Sequence, residues 1–158
     1  MGAAQMGAIV VTPAANEPVS VTEAKGYLRV THSDDDTLIG RLIEAARQYV
    51  EQESKLTLQT TVFEEYLDTF PEEYVLEKAP FIELTSPYIT YTNTSAGTST
   101  LADTEYQVDK LDPPTIVFDG TMPSDLDGDI LDPIRIVYSS GFGVLGSTVP
   151  EALRTAVM

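Results

Sequence analysis

The chain has 158 residues, a length suited to one domain with a sizeable buried core, and with no cysteine it holds neither disulfides nor thiolate metal sites. Twenty-five acidic residues against nine basic ones give a formal charge of −16, which opposes tight binding to a nucleic-acid backbone and excludes ordinary DNA-binding functions. The opening MGAAQMGAIVVTPAANEP has no basic lead and only a short apolar run, so neither a signal peptide nor a membrane span is read there, and synthesis in a cytoplasm is expected.

Residues 1–18 are small, rich in alanine and proline and weakly patterned, which predicts an extended arm ordered only by a neighbour. Ser20-Val21-Thr22-Glu23 is a capping-box pattern that starts a first helix, with Val19 placed to staple onto Ala24 and with Val21, Ala24, Tyr27 and Leu28 on its apolar side. The strongest helix signal follows over 33–53. At about 100° per residue, Leu38, Ile39, Leu42, Ile43, Ala45, Ala46, Tyr49 and Val50 share one arc of roughly 160°, opposite a polar arc that holds Arg41, Glu44, Arg47 and Glu51. Ser33 is the expected N-cap, and Asp34, Asp35 and Asp36 crowd the first turn, where carboxylates suit the helix dipole. Burying its six large apolar side chains is worth on the order of 10 kcal/mol gross, at about 1.5–3 kcal/mol each. The short Val30–His32 link predicts that the two helices fold back as an antiparallel hairpin on a common core.

Beyond Leu56 the pattern turns to short β-type runs: Thr60–Leu67, Tyr74–Leu76, Ile82–Leu84, Tyr88–Thr92, Tyr106–Val108, Thr115–Phe118 and Ile134–Tyr138. In the last, Ile134, Ile136 and Tyr138 alternate with Arg135 and Val137 and mark a core face. Thr92–Thr100 reads as a polar loop tip. The glycine-punctuated Ser139–Ser147 reads as a flexible turn ahead of Pro150, which fits the first position of a last helix. That helix runs to the final residue at barely nine positions, so a longer natural C-terminus is expected. The predicted fold class is α+β in a single domain over 1–158: an arm (1–18), a helical hairpin (19–56), a β-rich insertion forming an antiparallel sheet (57–148) and the start of a C-terminal helix (149–158) that packs with the hairpin.

Few residues suggest chemistry. His32 lies beside Ser33 and several acids, but sequence neighbours do not adopt nucleophile–base–orienter geometry, and a solvated loop histidine is the plainer reading. Asp125, Asp127 and Asp129, with Asp132 close by, are the candidate metal ligands, since calcium takes clustered carboxylates. An EF-hand register started at Asp125 fails, because Ile130 stands where glycine is required and Ile136 where the bidentate glutamate belongs. An acidic solvated turn is the simpler reading, and a calcium-dependent β-rich binding module is the alternative it leaves open. The glycines at 141, 143 and 146 match no phosphate-binding fingerprint. No cofactor or catalytic activity is expected.

The ordered series VSVTEAKGYLRV (19–30), DDDTLIGRLIEAARQYVE (34–51), YQVD (106–109), IRIVYSSGFG (134–143) and VPEALRTAV (149–157) resembles the head-to-tail connector, or adaptor, proteins of long-tailed bacteriophages and gene-transfer particles. The resemblance implies a structural virion protein made in a bacterial host. It would be an α+β subunit of a ring, commonly of twelve copies, located in the head–tail neck. The portal protein would lie above it and a stopper, terminator or tail protein below, with double-stranded DNA passing through unbound and no membrane involved. A channel lined with carboxylates would repel phosphates. Glu44, Glu51 and the Asp125–Asp129 loop are then candidates for the lumen, and Arg41 and Arg47 for salt bridges between subunits. The family pattern continues beyond the last helix into a portal-contacting tail, and it often has tryptophan where this chain has Met122 ahead of Pro123.

Overall fold

The computed structural model describes residues 7–158, so the first third of the expected arm lies outside the described residues. Among the described residues there are three α-helices and eight strands, and every strand pair is antiparallel, as expected of an α+β chain. Internal contacts divide the chain into two compact units. One comprises Thr61–Ser140 with the described part of Met1–Thr12, and the other Pro13–Thr60 with Gly141–Met158. The β-rich stretch is thus inserted between the two halves of a helical unit.

In the helical unit, α1 (Val21–Leu28) starts at the predicted capping box. Ser20 Oγ accepts from the Glu23 amide at 3.2 Å while the Glu23 carboxylate accepts from the Ser20 amide at 2.8 Å, so two otherwise orphaned donors are satisfied reciprocally. Helix α2 (Asp36–Ser54) starts later than expected. Asp35, not Ser33, occupies the cap position and makes no side-chain cap bond, and the Ser33 carbonyl instead accepts from the Asp36 amide in a preceding turn. Helix α3 (Glu151–Val157) follows Pro150, which stands at the cap rather than inside the first turn. The core of this unit is Val19, Ala24, Ile39, Ile43, Leu58, Val149 and Val157, with Val21, Ala46, Val50 and Leu153 packed against it.

Burial corrects the reading of α2. Ile39 and Ile43 are buried and Ala46 and Val50 partly so, whereas Leu38 and Leu42 are each 56% exposed and Tyr49 64%. Only one half of the apolar arc faces the core, and the gross stabilisation expected of the helix falls to about half of the all-buried figure. The turn at Gly141 is corrected as well. Gly141 has φ +134°, and a Cβ there would lie 2.6 Å from the Gln59 carbonyl carbon. Phe142 donates to the Leu58 carbonyl at 3.4 Å and Thr60 to that of Gly143 at 3.0 Å, so the stretch is a close backbone contact that needs glycine, not a flexible turn.

In the sheet unit, β1 (Ile9–Thr12), β2 (Thr61–Leu67), β8 (Ile134–Ser140), β4 (Phe81–Thr92) and β5 (Thr98–Thr100) form a five-stranded sheet in that order. A three-stranded sheet runs β3 (Glu73–Val75), β7 (Thr115–Val117), β6 (Gln107–Asp109). β8 is central, and its Ile134, Ile136 and Tyr138 are fully buried as the alternation predicted. They join Phe63, Leu67, Tyr74, Leu76, Ile89, Tyr91, Leu101, Ile116 and Phe118 in one core, against which Met122 packs partly buried. The two strands expected at Ile82–Leu84 and Tyr88–Thr92 are one, β4, whose register against β8 shifts between Leu84 and Ile89. Part of the segment read as an arm is the edge strand β1, with Ile9 opposite Glu64 and Val10 opposite Phe63.

Candidate functional site

The residues singled out on the polar side of α2 divide into two kinds. Arg47 is held inside its own subunit: Nε donates to Glu17 at 2.7 Å, Nη2 to the other Glu17 oxygen at 3.3 Å, and Nη1 to Glu51 at 2.8 Å, one turn along the helix. Burial works against the guanidinium charge, but Glu17 and Glu51 outweigh it and hold its pKa above the ordinary value. The second Glu51 oxygen accepts from the Leu58 amide at 2.8 Å, so this carboxylate also anchors the chain leaving α2. Glu44 is exposed and accepts from Gln48 at 3.4 Å. Arg41 is exposed and makes no ion pair among the described residues.

Sequence reasoning missed Arg154, which ties the ends of the helical unit together. It reaches Glu23 at 2.5 Å, Glu151 at 2.9 Å and the Pro18 carbonyl at 3.1 Å. Hydrogen bonds from Ser20, with Arg154 adding, hold the Glu23 carboxyl below its usual range. Sequence separation hid the pair, since Arg154 and Glu23 are 131 positions apart.

The acidic loop makes turns. The Asp125 carbonyl accepts from the Thr94 amide at 2.8 Å and the Asp127 amide donates to Thr92 at 3.0 Å. Asp127 Oδ1 accepts from the Asp129 amide at 3.1 Å, and the Asp132 amide donates to Asp68 at 3.1 Å. Among the described residues no three acidic or histidine side chains gather closely enough to hold a metal ion. Thr92–Thr100, read as a polar loop tip, is the end of a hairpin: β4 and β5 pair across it, and Asn93 Oδ1 accepts from the Ser95 and Gly97 amides. His32 is exposed, 3.7 Å from Asp35.

One buried acid escaped sequence reasoning. Glu65 on β2 has no solvent exposure; Tyr74 donates to it at 2.5 Å, the Glu77 amide at 3.0 Å, and Tyr138 completes the set. Burial raises its pKa despite these donors, and burial together with the Glu65 charge pushes the Tyr138 phenol well up, keeping it a neutral donor. The available signal was phase: in TVFEEYL, Glu65 falls on the same face as Phe63 and Leu67.

Set beside solved structures, this fold is that of subunits found in the necks of gene transfer agent (GTA) particles. A chain in the neck of an empty GTA particle, computed with C6 symmetry, matches with TM-score 0.81 at 19% identity, over 96% of this chain and 80% of that one. A chain in the virion of a native GTA particle matches with TM-score 0.79 at 19% identity, again over 96% and 80%. A chain in the neck of a native GTA particle, computed with C12 symmetry, gives TM-score 0.72 at 18% identity, over 96% and 79%. No curated protein matches. The model of the phage gp6-like head-tail connector proteins matches residues 18–103, more than half of the chain. The chain belongs to that family, whose members are structural connectors between virion head and tail.

Proposed function

We propose that the protein is a ring subunit of the virion neck that joins the portal to the tail and continues the channel through which DNA passes. In this reading α1 and α2 act as an antiparallel hairpin packed with α3. The observation that carries it is the family match over residues 18–103, and fold likeness to chains of cyclically symmetric GTA necks supports it over almost the whole length.

The charge fits this role. A formal charge of −16 per copy is multiplied around a ring, and repulsion of phosphates acts over roughly one Debye length, about 8–10 Å at physiological salt. Carboxylates on a lumen wall would therefore keep passing DNA from adhering, and exposed Glu44 is the candidate for that wall. Among the described residues no helix is long and apolar enough to cross a membrane.

Electron microscopy of the protein mixed with the portal of its own particle tests the proposal. Rings seated on the portal are the expected result, and gel retardation of double-stranded DNA should be absent even at low salt. An obligate compact dimer by light scattering, or tight DNA retention, would overturn it.

A further inference from the structure

Helix α2 carries a face that neither the core nor the acid surplus accounts for. Thr37, Leu38, Arg41, Leu42, Ala45, Gln48, Tyr49 and Gln52 lie within one arc of about 140° at 100° per residue, and all eight are exposed. None is acidic, in a chain with twenty-five carboxylates. Glu44 and Glu53 lie about 20° beyond the two edges of the arc, and Asp36 and Glu51 fall further round the helix. An apolar stripe rimmed by amides and by the unpaired Arg41 marks a protein-binding surface, and its charge selects an acidic partner with apolar side chains of its own.

The same chain offers such a partner. Leu131 is 86% exposed, the highest value among the large apolar side chains of the described residues, and Ile130 beside it is 42% exposed. They form the tip of an irregular segment flanked by Asp125, Asp127, Asp129 and Asp132. We propose that the outer face of α2 in one copy receives the Ile130–Leu131 tip of the next copy, with Arg41 facing the surrounding carboxylates. The two patches differ, so the contact is head-to-tail and can repeat around a closed ring, which two α2 faces packed on each other could not do. This assignment rests on the ring reading and names its joint.

The absence of cysteine makes the joint testable by cross-linking. Ala45→Cys and Leu131→Cys, both on exposed side chains, are combined in the full chain, concentrated with and without portal, and oxidised. The expected result is a ladder of covalent oligomers, together with loss of ring-sized species in Leu42→Asp and their retention in Leu111→Asp, a control at another exposed leucine. Unchanged melting temperatures establish that the variants fold. Rings that persist in Leu42→Asp, rings lost in Leu111→Asp but not in Leu131→Asp, or a covalent dimer from Ala45→Cys alone overturn the joint while leaving the ring reading intact. Failure to form rings under any of these conditions overturns both.

Discussion

Arg47→Met separates a subunit's internal bracing from its contacts with other copies. Methionine keeps most of the aliphatic stem and removes the guanidinium. In the folded chain that group bridges Glu17, ahead of α1, and Glu51, near the end of α2, through three hydrogen bonds of 2.7–3.3 Å. Its side chain is 14% exposed, and those of Glu17 and Glu51 are 32% and 20% exposed. Removing one partner from a fully buried pair costs about 3–5 kcal/mol, and an exposed pair is worth about 0–1 kcal/mol. The intermediate burial here places the loss at about 2 kcal/mol. For a chain of this size that lowers the melting temperature by about 4–8 °C, at about 2–4 °C per kcal/mol. Arg41→Met is the counterpart: with no ion-pair partner among the described residues, its stability should stay within about 0.5 kcal/mol of the parent. The assay is thermal unfolding of the free chain followed by circular dichroism, with sedimentation velocity on the same samples for assembly. If Arg47→Met melts with the parent yet fails to assemble, Arg47 pairs across copies and the internal bracing argument is wrong.

Ile43→Ala should cost about 2–5 kcal/mol in urea unfolding, whereas Leu42→Ala, one position along but facing outward, should cost under about 1 kcal/mol. Gly141→Ala should destabilise the chain by more than about 1 kcal/mol, because the left-handed backbone and the 2.6 Å approach to Gln59 both exclude a side chain; an unchanged urea midpoint would refute that packing. Glu65 has a folded pKa raised by burial, so its contribution is fully present below the unfolded value and is lost as pH rises through the folded one. Glu65→Gln should therefore flatten the gain in stability seen on acidifying from pH 8 to pH 5, measured as urea midpoints at each pH. Calorimetric titration with calcium should give no heat and no shift in melting temperature, since among the described residues no three acidic or histidine side chains gather closely enough to hold the ion.

What was legible in the sequence was whatever a local period or a local cap encodes. The capping box at Ser20–Glu23 and the core side of Ile134, Ile136 and Tyr138 needed only neighbours along the chain; the capping box stands as read, whereas Val137 and Ser139 on the other face of β8 are buried too, so the strand has no single core face. The edge strand β1 was missed because IVVT is too short for alternation to declare itself, and its pairing partner lies more than fifty positions away. β4 reads as two strands because Thr85-Ser86-Pro87 interrupts the apolar pattern, while the ladder to β8 resumes with a shifted register. The Glu65–Tyr74–Tyr138 cluster and the Arg154 clamp are long-range pairings of polar residues, which periodicity cannot report. Arg47 and Arg41 sat on the same predicted polar face, and only the position of Glu17 distinguishes the braced cation from the free one.

The width of the α2 stripe carries information that its existence does not. A helix packed on one core needs an apolar arc only somewhat wider than 100°, and the roughly 160° read from the sequence is more than Ile39, Ile43, Ala46 and Val50 use. The surplus is Leu38, Leu42, Ala45 and Tyr49, displaced to one side rather than scattered. Making these polar would cost the chain's own fold little, since each is largely exposed and none belongs to its buried core. Their place beside Arg41, which has no ion pair among the described residues, on an arc whose carboxylates stand only at its edges, is the pattern of a helix that serves two contacts at once: its own subunit on one flank and an acidic neighbour on the other.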